Sequence, residues 1–316
     1  MGRRENETTM TEFILLGLSS NPQTKIALFG LFLLIYLITV VGNGLLLLLA
    51  VVDSRLHTPM YFFLGNLSFL DICYTTSTIP QMLAHCLSAK TTISHSGCFA
   101  QMYISLFLGT TECLLLAMMS YDRWVAVCNP LRYNIIMSNK VCSAMATISW
   151  GSSFLLILVP SITSQPSLCG HNVIDHFLCE VQAILKLACS DTSGNQLIMF
   201  ASSILTLLLP FGFILVTYAR IITTVLRMQS TENRTKAFST CSSHLMVVTI
   251  FYGTAMSMYL QPQTKTSSDL DKYIAIFYCT ITPMLNPLIY SLRNKDVKQA
   301  FRKVTGRKRD LPALSL

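Results

Sequence analysis

The sequence predicts an all-α membrane protein, a seven-transmembrane helix bundle with a short amphipathic C-terminal helix. Of its 316 residues, 52% are hydrophobic and only 12% are charged, about half the charged fraction of an average soluble domain. Seven apolar stretches are each long enough for the roughly 20 residues that cross a bilayer. Basic residues cluster in the short segments between these stretches, which is typical of membrane proteins rather than of nucleic-acid-binding proteins.

The apolar stretches divide the chain, residues 1–316, into a single membrane domain with no room for a soluble one. The predicted spans are residues 26–50, 59–83, 98–128, 141–164, 196–226, 237–260 and 271–292. In the tail 293–316, the segment Asn294 to Val304 has the pattern of an amphipathic helix on the membrane surface. The chain has no internal repeat of the kind found in transporters with two related halves.

The charge distribution predicts an extracellular N-terminus, residues 1–25, and a cytoplasmic C-terminus. With that orientation, sixteen of the 23 Lys and Arg residues fall on the inner side, in agreement with the positive-inside rule. Asn6 begins the glycosylation sequon Asn6-Glu7-Thr8, which can be used only outside the cytosol. The apolar run Phe13–Leu18 is too short for a signal peptide, so we expect the first span to direct insertion. The predicted location is therefore the plasma membrane, as a multi-pass protein.

Two carboxylic acids lie near the middle of predicted spans, Asp71 in the second and Glu112 in the third. Charged side chains at that depth are costly and usually face a polar interior. A cation between the two carboxylates, most simply sodium, would offset their repulsion, because hard cations prefer oxygen ligands. Alternatively, one carboxyl is protonated and hydrogen-bonded to Asn43, Ser68 or Asn286.

The pair Asp122-Arg123 falls at the cytoplasmic end of the third span, eleven residues and about 16 Å beyond Glu112 along a helix. An ion pair at this position could open and close with helix movement. The alternative is an arginine that snorkels from the helix end to the lipid headgroups.

Prolines within the spans remove backbone hydrogen bonds and create bends or weak points. Near one of these points, Asn286-Pro287 followed by Tyr290 adds an amide and a phenol. The prolines in question are Pro80, Pro160, Pro210 and Pro287.

The long loop from Leu168 to Ser190 holds several cysteines and histidines. Its cysteines are about ten residues apart, unlike the close pairs of structural zinc sites, so disulfides on an oxidising face are favoured over zinc or copper. The residues concerned are Cys169, His171, His176, Cys179 and Cys189, with Cys98 at the start of the third span as a further disulfide candidate.

Five segments of the chain carry motifs of a known receptor family. They are Gly42-Asn43, LHTPMYFFLGNLSFLD (56–71), MSYDRWVAVCNPLRY (119–133), KAFSTCSSH (236–244) and PMLNPLIYSLRN (283–294). With these segments in this order, the sequence resembles a vertebrate olfactory receptor, a branch of the rhodopsin-like G-protein-coupled receptors, over nearly its whole length. The second segment resembles the branch typical of land vertebrates, which implies hydrophobic volatile ligands.

The resemblance implies roles for matched positions. Cys98 would bond to Cys179, and Cys169 to Cys189. Asp71 and Glu112 would be a sodium-linked pair. The activation switch would consist of Asp122, Arg123, Tyr218, Asn286, Pro287 and Tyr290.

One residue of the switch region departs from the family pattern. Trp124 stands where the family usually has tyrosine. Tryptophan keeps an aromatic ring and one hydrogen-bond donor, so we expect coupling to survive the exchange.

By the family pattern, the odorant pocket lies between the outer halves of the third, fifth and sixth spans. Its predicted lining is mostly apolar with a few hydroxyls, which suits a small ligand that carries one polar group. The alternative is that many of these small residues only pack helix against helix. The candidates are Ser105, Leu106, Gly109 and Thr110, then Ser202, Ser203 and Thr206, and finally Tyr252, Ala255, Met256 and Tyr259.

The function that the resemblance implies is an odorant receptor that activates a stimulatory heterotrimeric G protein and raises cyclic AMP. The expected partners are a small volatile odorant, that G protein and membrane lipid, without nucleic acid and without a cofactor other than a possible sodium ion. The alternative within the same class is a non-olfactory chemosensory receptor for another small molecule.

Two other classes of protein are disfavoured. A transporter or channel needs a continuous polar path, whereas only two acidic residues lie at mid-depth. A membrane enzyme needs a catalytic constellation, and neither HExxH nor GxSxG occurs in the sequence.

Overall fold

The computed structural model describes residues 11–163, 168, 171–189, 191–260, 268–293, 297 and 299–300. Within these ranges the chain forms a bundle of seven long helices, α1 to α7, with a small β-sheet at one end. The helices are α1 (Pro22–Val52), α2 (Pro59–Leu87), α3 (His95–Cys128), α4 (Asn139–Thr163), α5 (Ser193–Arg227), α6 (Thr231–Tyr259) and α7 (Ser268–Ile276, Phe277–Ile281 and Thr282–Arg293). Short helical turns at Ser54–Leu56, Pro130–Arg132, Tyr133–Ile136 and Val181–Leu185 join them.

Five of the seven helices, namely α1, α3, α4, α5 and α7, are by length and composition apolar enough to cross a membrane. Helices α2 and α6 have the length, 29 residues each, but are not among the helices that meet this composition. Large apolar side chains such as Leu34, Leu155 and Leu205 are more than half exposed on the outside of the bundle. An apolar solvent accounts for such a surface, because lipid tails are as apolar as leucine.

Helix starts follow local capping chemistry. Asn21 accepts a hydrogen bond from the backbone N–H of Gln23 at 2.9 Å, and Pro22 occupies the first turn of α1. Ser94 caps α3 in the same way, with the N–H of Gly97 at 3.1 Å. Capping side chains satisfy backbone donors that have no partner inside the helix. Both helices therefore begin a few residues before the apolar stretch that predicts them.

Helices α5 and α7 each contain a π turn, at Ile204–Leu208 and Phe277–Ile281. Each π turn ends two residues before a proline, Pro210 in α5 and Pro283 in α7. Proline has no N–H and clashes with the carbonyl four residues earlier, so a wider turn relieves the regular helix at that point. Turns of this kind are frequent at functional sites.

The sheet places the N-terminal segment between two loops. Strand β1 (Glu12–Leu15) pairs antiparallel with β2 (Thr92–Ser94) and parallel with β3 (Val173–Ile174), so the strand order is β2-β1-β3. We call this end of the bundle the sheet end, and the opposite end, where α3 finishes, the Arg123 end.

The short apolar run that is too short for a signal peptide supplies the central strand of this sheet. Phe13 and Leu15 are fully buried, because alternate side chains of a strand share one face. Phe13 stacks on His95 with ring centroids 5.6 Å apart and also contacts Phe99. Gly17 then adopts a φ of +73°, a left-handed conformation that suits glycine, before α1 begins.

Helix α3 lies at the centre of the bundle and packs against α2, α4, α5 and α6. Helix α1 packs against α2 and α7. The predicted C-terminal amphipathic helix, 294–304, lies mostly outside the described residues, and so does the sequon at Asn6.

Candidate ligand-binding site

A cavity of about 190 Å³ lies inside the bundle toward the sheet end. Its wall comes from α3, α5 and α6, as expected, and also from α2, α4, α7 and the loop before α5. Nine of the eleven predicted pocket residues belong to the wall. They are Ser105, Leu106, Gly109, Thr110, Ser202, Ser203, Thr206, Ala255 and Tyr259.

The other two predicted residues, Tyr252 and Met256, do not line the cavity. The wall of α6 is formed by Phe251, Ala255 and Tyr259, which are four residues apart and share a helix face. Tyr252 and Met256 each follow one of these residues, so they are rotated by about 100° along the helix. Tyr252 instead donates a hydrogen bond to the Cys113 carbonyl at 3.0 Å in the core.

Part of the wall was not predicted from the sequence. The loop contributes Val181, Ile184 and Leu185, and we call residues 179–185 the roof of the cavity. Helices α2 and α7 contribute Tyr74 and Tyr278. The position of Cys179, two residues before Val181, was the one sequence signal that tied the roof to α3.

Two wall hydroxyl groups of α5 already use their protons within the helix. Ser203 Oγ donates to the Met199 carbonyl at 2.8 Å, and Thr206 Oγ1 donates to the Ser202 carbonyl at 2.9 Å. Each oxygen can still accept a hydrogen bond. Thr206 also lies in the π turn of α5, so the irregular turn contributes directly to the wall.

Gly109 leaves free space beside α3. Apart from its chain neighbours and the backbone of its own helix turn, a Cβ atom built on this glycine meets no atom of the described residues within 4 Å. The cavity therefore extends to the α3 backbone at this point, and the size of this residue controls the available volume.

A disulfide ties the roof to α3. Cys98 and Cys179 are joined with an S–S distance of 2.03 Å and a Cα–Cα distance of 5.4 Å. Cys189 is also disulfide-bonded, and its expected partner Cys169 lies outside the described residues. The described part of the chain contains no group of three or more His, Cys, Asp or Glu side chains suited to a metal ion.

The two loop histidines differ in environment. His176 is buried, and its Nδ1 lies 3.1 Å from the N–H of Leu178. Burial lowers the pKa of His176 to about 4, so the ring is neutral at physiological pH and Nδ1 accepts this bond. His171 is exposed.

Below the cavity, Asp71 and Asn286 interact in the interior of the bundle. The Asn286 amide donates to both carboxylate oxygens of Asp71, at 3.2 and 3.0 Å. Among the buried oxygens without a hydrogen-bond partner in the described structure are Ser68 Oγ, Glu112 Oε1 and Asn286 Oδ1. Two carboxylates with hydroxyl and amide oxygens form a ligand set that fits a hard cation.

At the Arg123 end, Asp122 and Arg123 form a buried ion pair with an N–O distance of 2.8 Å. The Tyr133 hydroxyl donates to the other Asp122 oxygen at 2.6 Å. Burial, together with the Asp122 charge, raises the pKa of Tyr133, so the phenol remains a donor. Arg123 is therefore held inside the bundle rather than extended to the headgroups.

The predicted switch residue Tyr218 pairs with a residue that the sequence left without a role. Tyr218 Oη lies 2.7 Å from His244 Nδ1, and His244 Nε2 lies 3.1 Å from the Leu116 carbonyl. A carbonyl only accepts, so Nε2 carries a proton, and in a neutral ring Nδ1 accepts from Tyr218. His244 thereby connects α3, α5 and α6. Its place at the end of KAFSTCSSH was the available signal.

The last two switch residues, Tyr290 and Pro287, and the neighbouring Trp124 differ in their packing. Tyr290 is buried, and its hydroxyl has no hydrogen-bond partner in the part of the chain described. Pro287 packs against Gly42 so closely that a Cβ atom on this glycine would be 3.1 Å from the proline ring. The Trp124 ring is half-buried, 5.4 Å from that of Tyr121.

A seven-helix bundle with a roofed cavity at one end and a buried ion-pair network at the other has the rhodopsin fold. The structure is similar to that of squid rhodopsin, with a TM-score of 0.72 over 91% of this chain and 87% of that chain. The sequence identity to squid rhodopsin is 19%, so this likeness concerns the fold.

Sequence comparison identifies the family. Residues 32–308 match the olfactory receptor family. Olfactory receptor 13H1 of Homo sapiens is 52% identical over 95% of this chain and 97% of its own length. The olfactory receptor-like protein OLF3 of Canis lupus familiaris is also 52% identical, over 95% of each chain. The chain belongs to the olfactory receptor family, and is thus a multi-pass plasma-membrane receptor rather than an enzyme.

Proposed function

We propose that this receptor binds a small, mainly hydrophobic volatile molecule in the cavity and activates a stimulatory heterotrimeric G protein to raise cyclic AMP. The observation that carries the proposal is the roofed cavity of about 190 Å³, whose wall combines apolar side chains with a few hydroxyls. An apolar cavity of about 150 Å³ in another protein holds benzene, which has six non-hydrogen atoms, so this one suits a ligand of about eight non-hydrogen atoms.

The size of the ligand sets the affinity that burial in the cavity can provide. Burial of one methylene group contributes about 0.8 kcal/mol, so eight carbon atoms contribute at most about 6.4 kcal/mol, which corresponds to a dissociation constant of roughly 20 μM before the cost of association is subtracted. Hydroxyl groups such as those of Ser105, Ser202 and Thr206 add selectivity, since an unmatched polar group in an apolar cavity weakens binding.

Activation follows from unequal affinity for two arrangements of the bundle. In the proposed active arrangement, α6 swings outward at the Arg123 end and the Asp122–Arg123 pair opens, with Tyr218 and Tyr290 as rearranging partners. The exposed surface, with basic residues from Arg220 to Lys236, engages the G protein. In this orientation the Arg123 end is cytoplasmic, the sheet end is extracellular, and Asn6 is available for glycosylation.

The test is a cyclic AMP assay in cells where surface labelling verifies that the receptor reaches the plasma membrane. A panel of volatiles with six to twelve non-hydrogen atoms, applied as vapour or in solution, should contain agonists. Arg123→Gln should abolish the cyclic AMP response to these agonists while their binding persists. Failure of every volatile with verified surface expression would overturn the proposal.

A sodium ion between Asp71 and Glu112 is part of the same proposal. The buried oxygens of Ser68, Glu112 and Asn286 that have no partner support it. Sodium would stabilise the resting bundle, so replacing sodium by choline should raise agonist affinity several-fold, and Asp71→Asn should remove this dependence. Equal affinities in both salts would argue for a protonated carboxyl instead.

A further inference from the structure

The roof of the cavity is anchored to α3 along one edge. Cys179 forms the disulfide with Cys98, and its backbone N–H donates to Gln101 Oε1 at 3.1 Å. Gln101 also bonds to Gln81 of α2 at 2.8 Å. This edge of the roof is covalently fixed and cannot separate from the bundle while the disulfide is intact.

The other edge of the roof is held by noncovalent contacts to α6 and α7. The Tyr278 hydroxyl donates to the carboxyl group of Glu180, and Gln182 Nε2 donates to the Met258 carbonyl at 3.0 Å. Both roof side chains are buried. Glu180 directly follows the disulfide-bonded Cys179. Its contact with Tyr278 therefore holds the roof segment at the point where that segment would begin to move away from α7.

Two ion pairs reinforce this edge from outside. Lys272 lies 2.6 Å from Asp175, and Lys186 lies 3.9 Å from Asp271. Each pair includes a side chain that is about half exposed to solvent, Asp175 in one and Lys186 in the other. Exposed ion pairs contribute little and are screened by salt, so the two buried contacts of Glu180 and Gln182 are the main restraints, and only that of Glu180 involves a titratable side chain.

Tyr278 belongs to the roof contact and to the cavity wall at once. It lies in the π turn of α7 and lines the cavity. Its ring is 6.3 Å from that of Tyr74, another wall residue. A ligand that presses on Tyr278 therefore acts on a side chain that also holds the roof.

We propose that Glu180 and Tyr278 form a latch that keeps the roof closed over the cavity and links its position to the π turn of α7. Glu180 is a positioning residue in this proposal, because it acts on the ligand through Tyr278 and the roof. The latch sets how fast a ligand leaves, and this consequence rests on the proposed function. The latch itself can be measured without a ligand.

The charge state of Glu180 gives the latch a pH dependence. Burial raises the pKa of Glu180 to about 7, with a further rise from Asp271 and an opposing effect from the Tyr278 hydrogen bond. The two lysines of this region pair with Asp175 and Asp271. The other titratable groups near Glu180 are Tyr74, Tyr259 and Cys279.

The sign of this dependence follows from linkage. An exposed glutamate has a pKa of about 4.3, so opening the roof releases a proton between that pH and 7. The closed roof is therefore favoured by acid, and opening becomes easier as the pH rises toward 7 and levels off above it. These two values predict about fivefold more opening at pH 7 than at pH 6.

The experiment is hydrogen–deuterium exchange of the backbone amides in residues 179–185, on the full-length receptor in lipid nanodiscs. Tyr278→Phe removes the donor and keeps the ring, and should speed roof exchange about tenfold. Tyr273→Phe on the exposed face of α7 is the matched control and should leave exchange unchanged. Equal exchange in all three proteins would overturn the latch.

A second variant separates a latch from general loss of structure. Glu180→Gln keeps an acceptor for Tyr278 but does not titrate, so roof protection should persist while the fivefold difference between pH 6 and 7, after correction for intrinsic exchange, disappears. Retention of that difference in Glu180→Gln would contradict the assignment. Because no ligand is used, these outcomes do not depend on whether volatiles activate the receptor.

Discussion

The two ends of the bundle use polar side chains in opposite ways. At the sheet end, a few hydroxyls among apolar side chains line a cavity, and Gly109 leaves room beside the α3 backbone. At the Arg123 end, polar side chains bond to one another, as Tyr133 does to Asp122 and Tyr218 to His244. The sheet end has space that a ligand can fill, whereas the Arg123 end has bonds that must break for the proposed outward movement of α6.

The difference indicates how a small ligand can control a large rearrangement. The cavity end gains contacts when a ligand enters, whereas the Arg123 end keeps a closed network until the balance between two arrangements changes. Helix α3 contributes to both ends, through Gly109 and Arg123. Between them, the buried oxygens near Glu112 without partners mark a layer that is not fully bonded.

The largest expected effect on signalling is from filling the cavity at Gly109. Gly109→Phe places a ring where a Cβ meets nothing within 4 Å, so the protein should still fold while ligand volume is lost. We expect agonist potency in the cyclic AMP assay to fall roughly 100-fold or more, equivalent to about 2.8 kcal/mol.

The control for this prediction is Gly253→Phe, on an exposed position of α6 that also has open space around it. It should leave potency near that of the unmodified receptor. Undiminished potency in Gly109→Phe would show that agonists bind elsewhere.

The next effect concerns stability at the sheet end. Phe13→Ala removes a fully buried ring that packs on Phe99, a residue of the cavity wall. Large-to-small changes of this kind cost about 3 kcal/mol, and the thermal midpoint of the purified receptor should fall by several degrees. Leu16→Ala, at a half-exposed position of the same segment, should change it little.

The same Phe13 variant separates the two ends. Because the bonds around Arg123 lie far from the sheet, basal cyclic AMP should stay unchanged per receptor at the surface. A change in basal signalling would mean that the ends are more tightly coupled than their contacts indicate.

At the Arg123 end, Asp122→Asn removes the charge that pairs with Arg123 and weakens the bond from Tyr133. Loss of about 1.4 kcal/mol from the closed network would raise basal cyclic AMP about tenfold. Glu232→Gln removes an exposed carboxylate near the same end and serves as control. Unchanged basal signalling at equal surface amounts would contradict a resting role for the pair.

Much of the cavity wall could be predicted from the sequence, at positions where helical periodicity determines which side chains share a face. Ser105, Leu106, Gly109 and Thr110 repeat at a spacing that places them on one face of α3, and all four line the cavity. The rotation of helix α6 was not predicted correctly, because Phe251 and its neighbour Tyr252 are both buried in the interior. Hydrophobicity alone does not give the rotation of such a helix.

The roof and the π turns depend on contacts that are distant in sequence. Glu180 and Tyr278 are 98 residues apart in the sequence, and no local sequence pattern predicts their contact. Pro283 belongs to a motif that identified the family, but its connection with the π turn at Phe277–Ile281 appears only in the backbone. Chemistry at these positions follows from tertiary placement rather than from local propensity.

The smallest effect tests the bond between Tyr218 and His244. Tyr218→Phe removes the hydroxyl 2.7 Å from His244 and keeps the ring that stacks on the imidazole. A single neutral hydrogen bond contributes about 1 kcal/mol or less in net terms, so basal cyclic AMP should rise about threefold. Tyr121→Phe, which keeps the ring contacts with Trp124 and Phe213, is the matched control.

A double-mutant cycle shows whether this bond acts as a unit in the resting state. If it does, His244→Gln should raise basal signalling by itself, and its combination with Tyr218→Phe should raise it by less than the product of the two single effects. A fully multiplicative result would mean that the two side chains act separately. A fall in basal signalling in Tyr218→Phe would instead assign the hydroxyl to the active arrangement, and the Arg123 end would then owe its closed state to the Asp122 contacts alone.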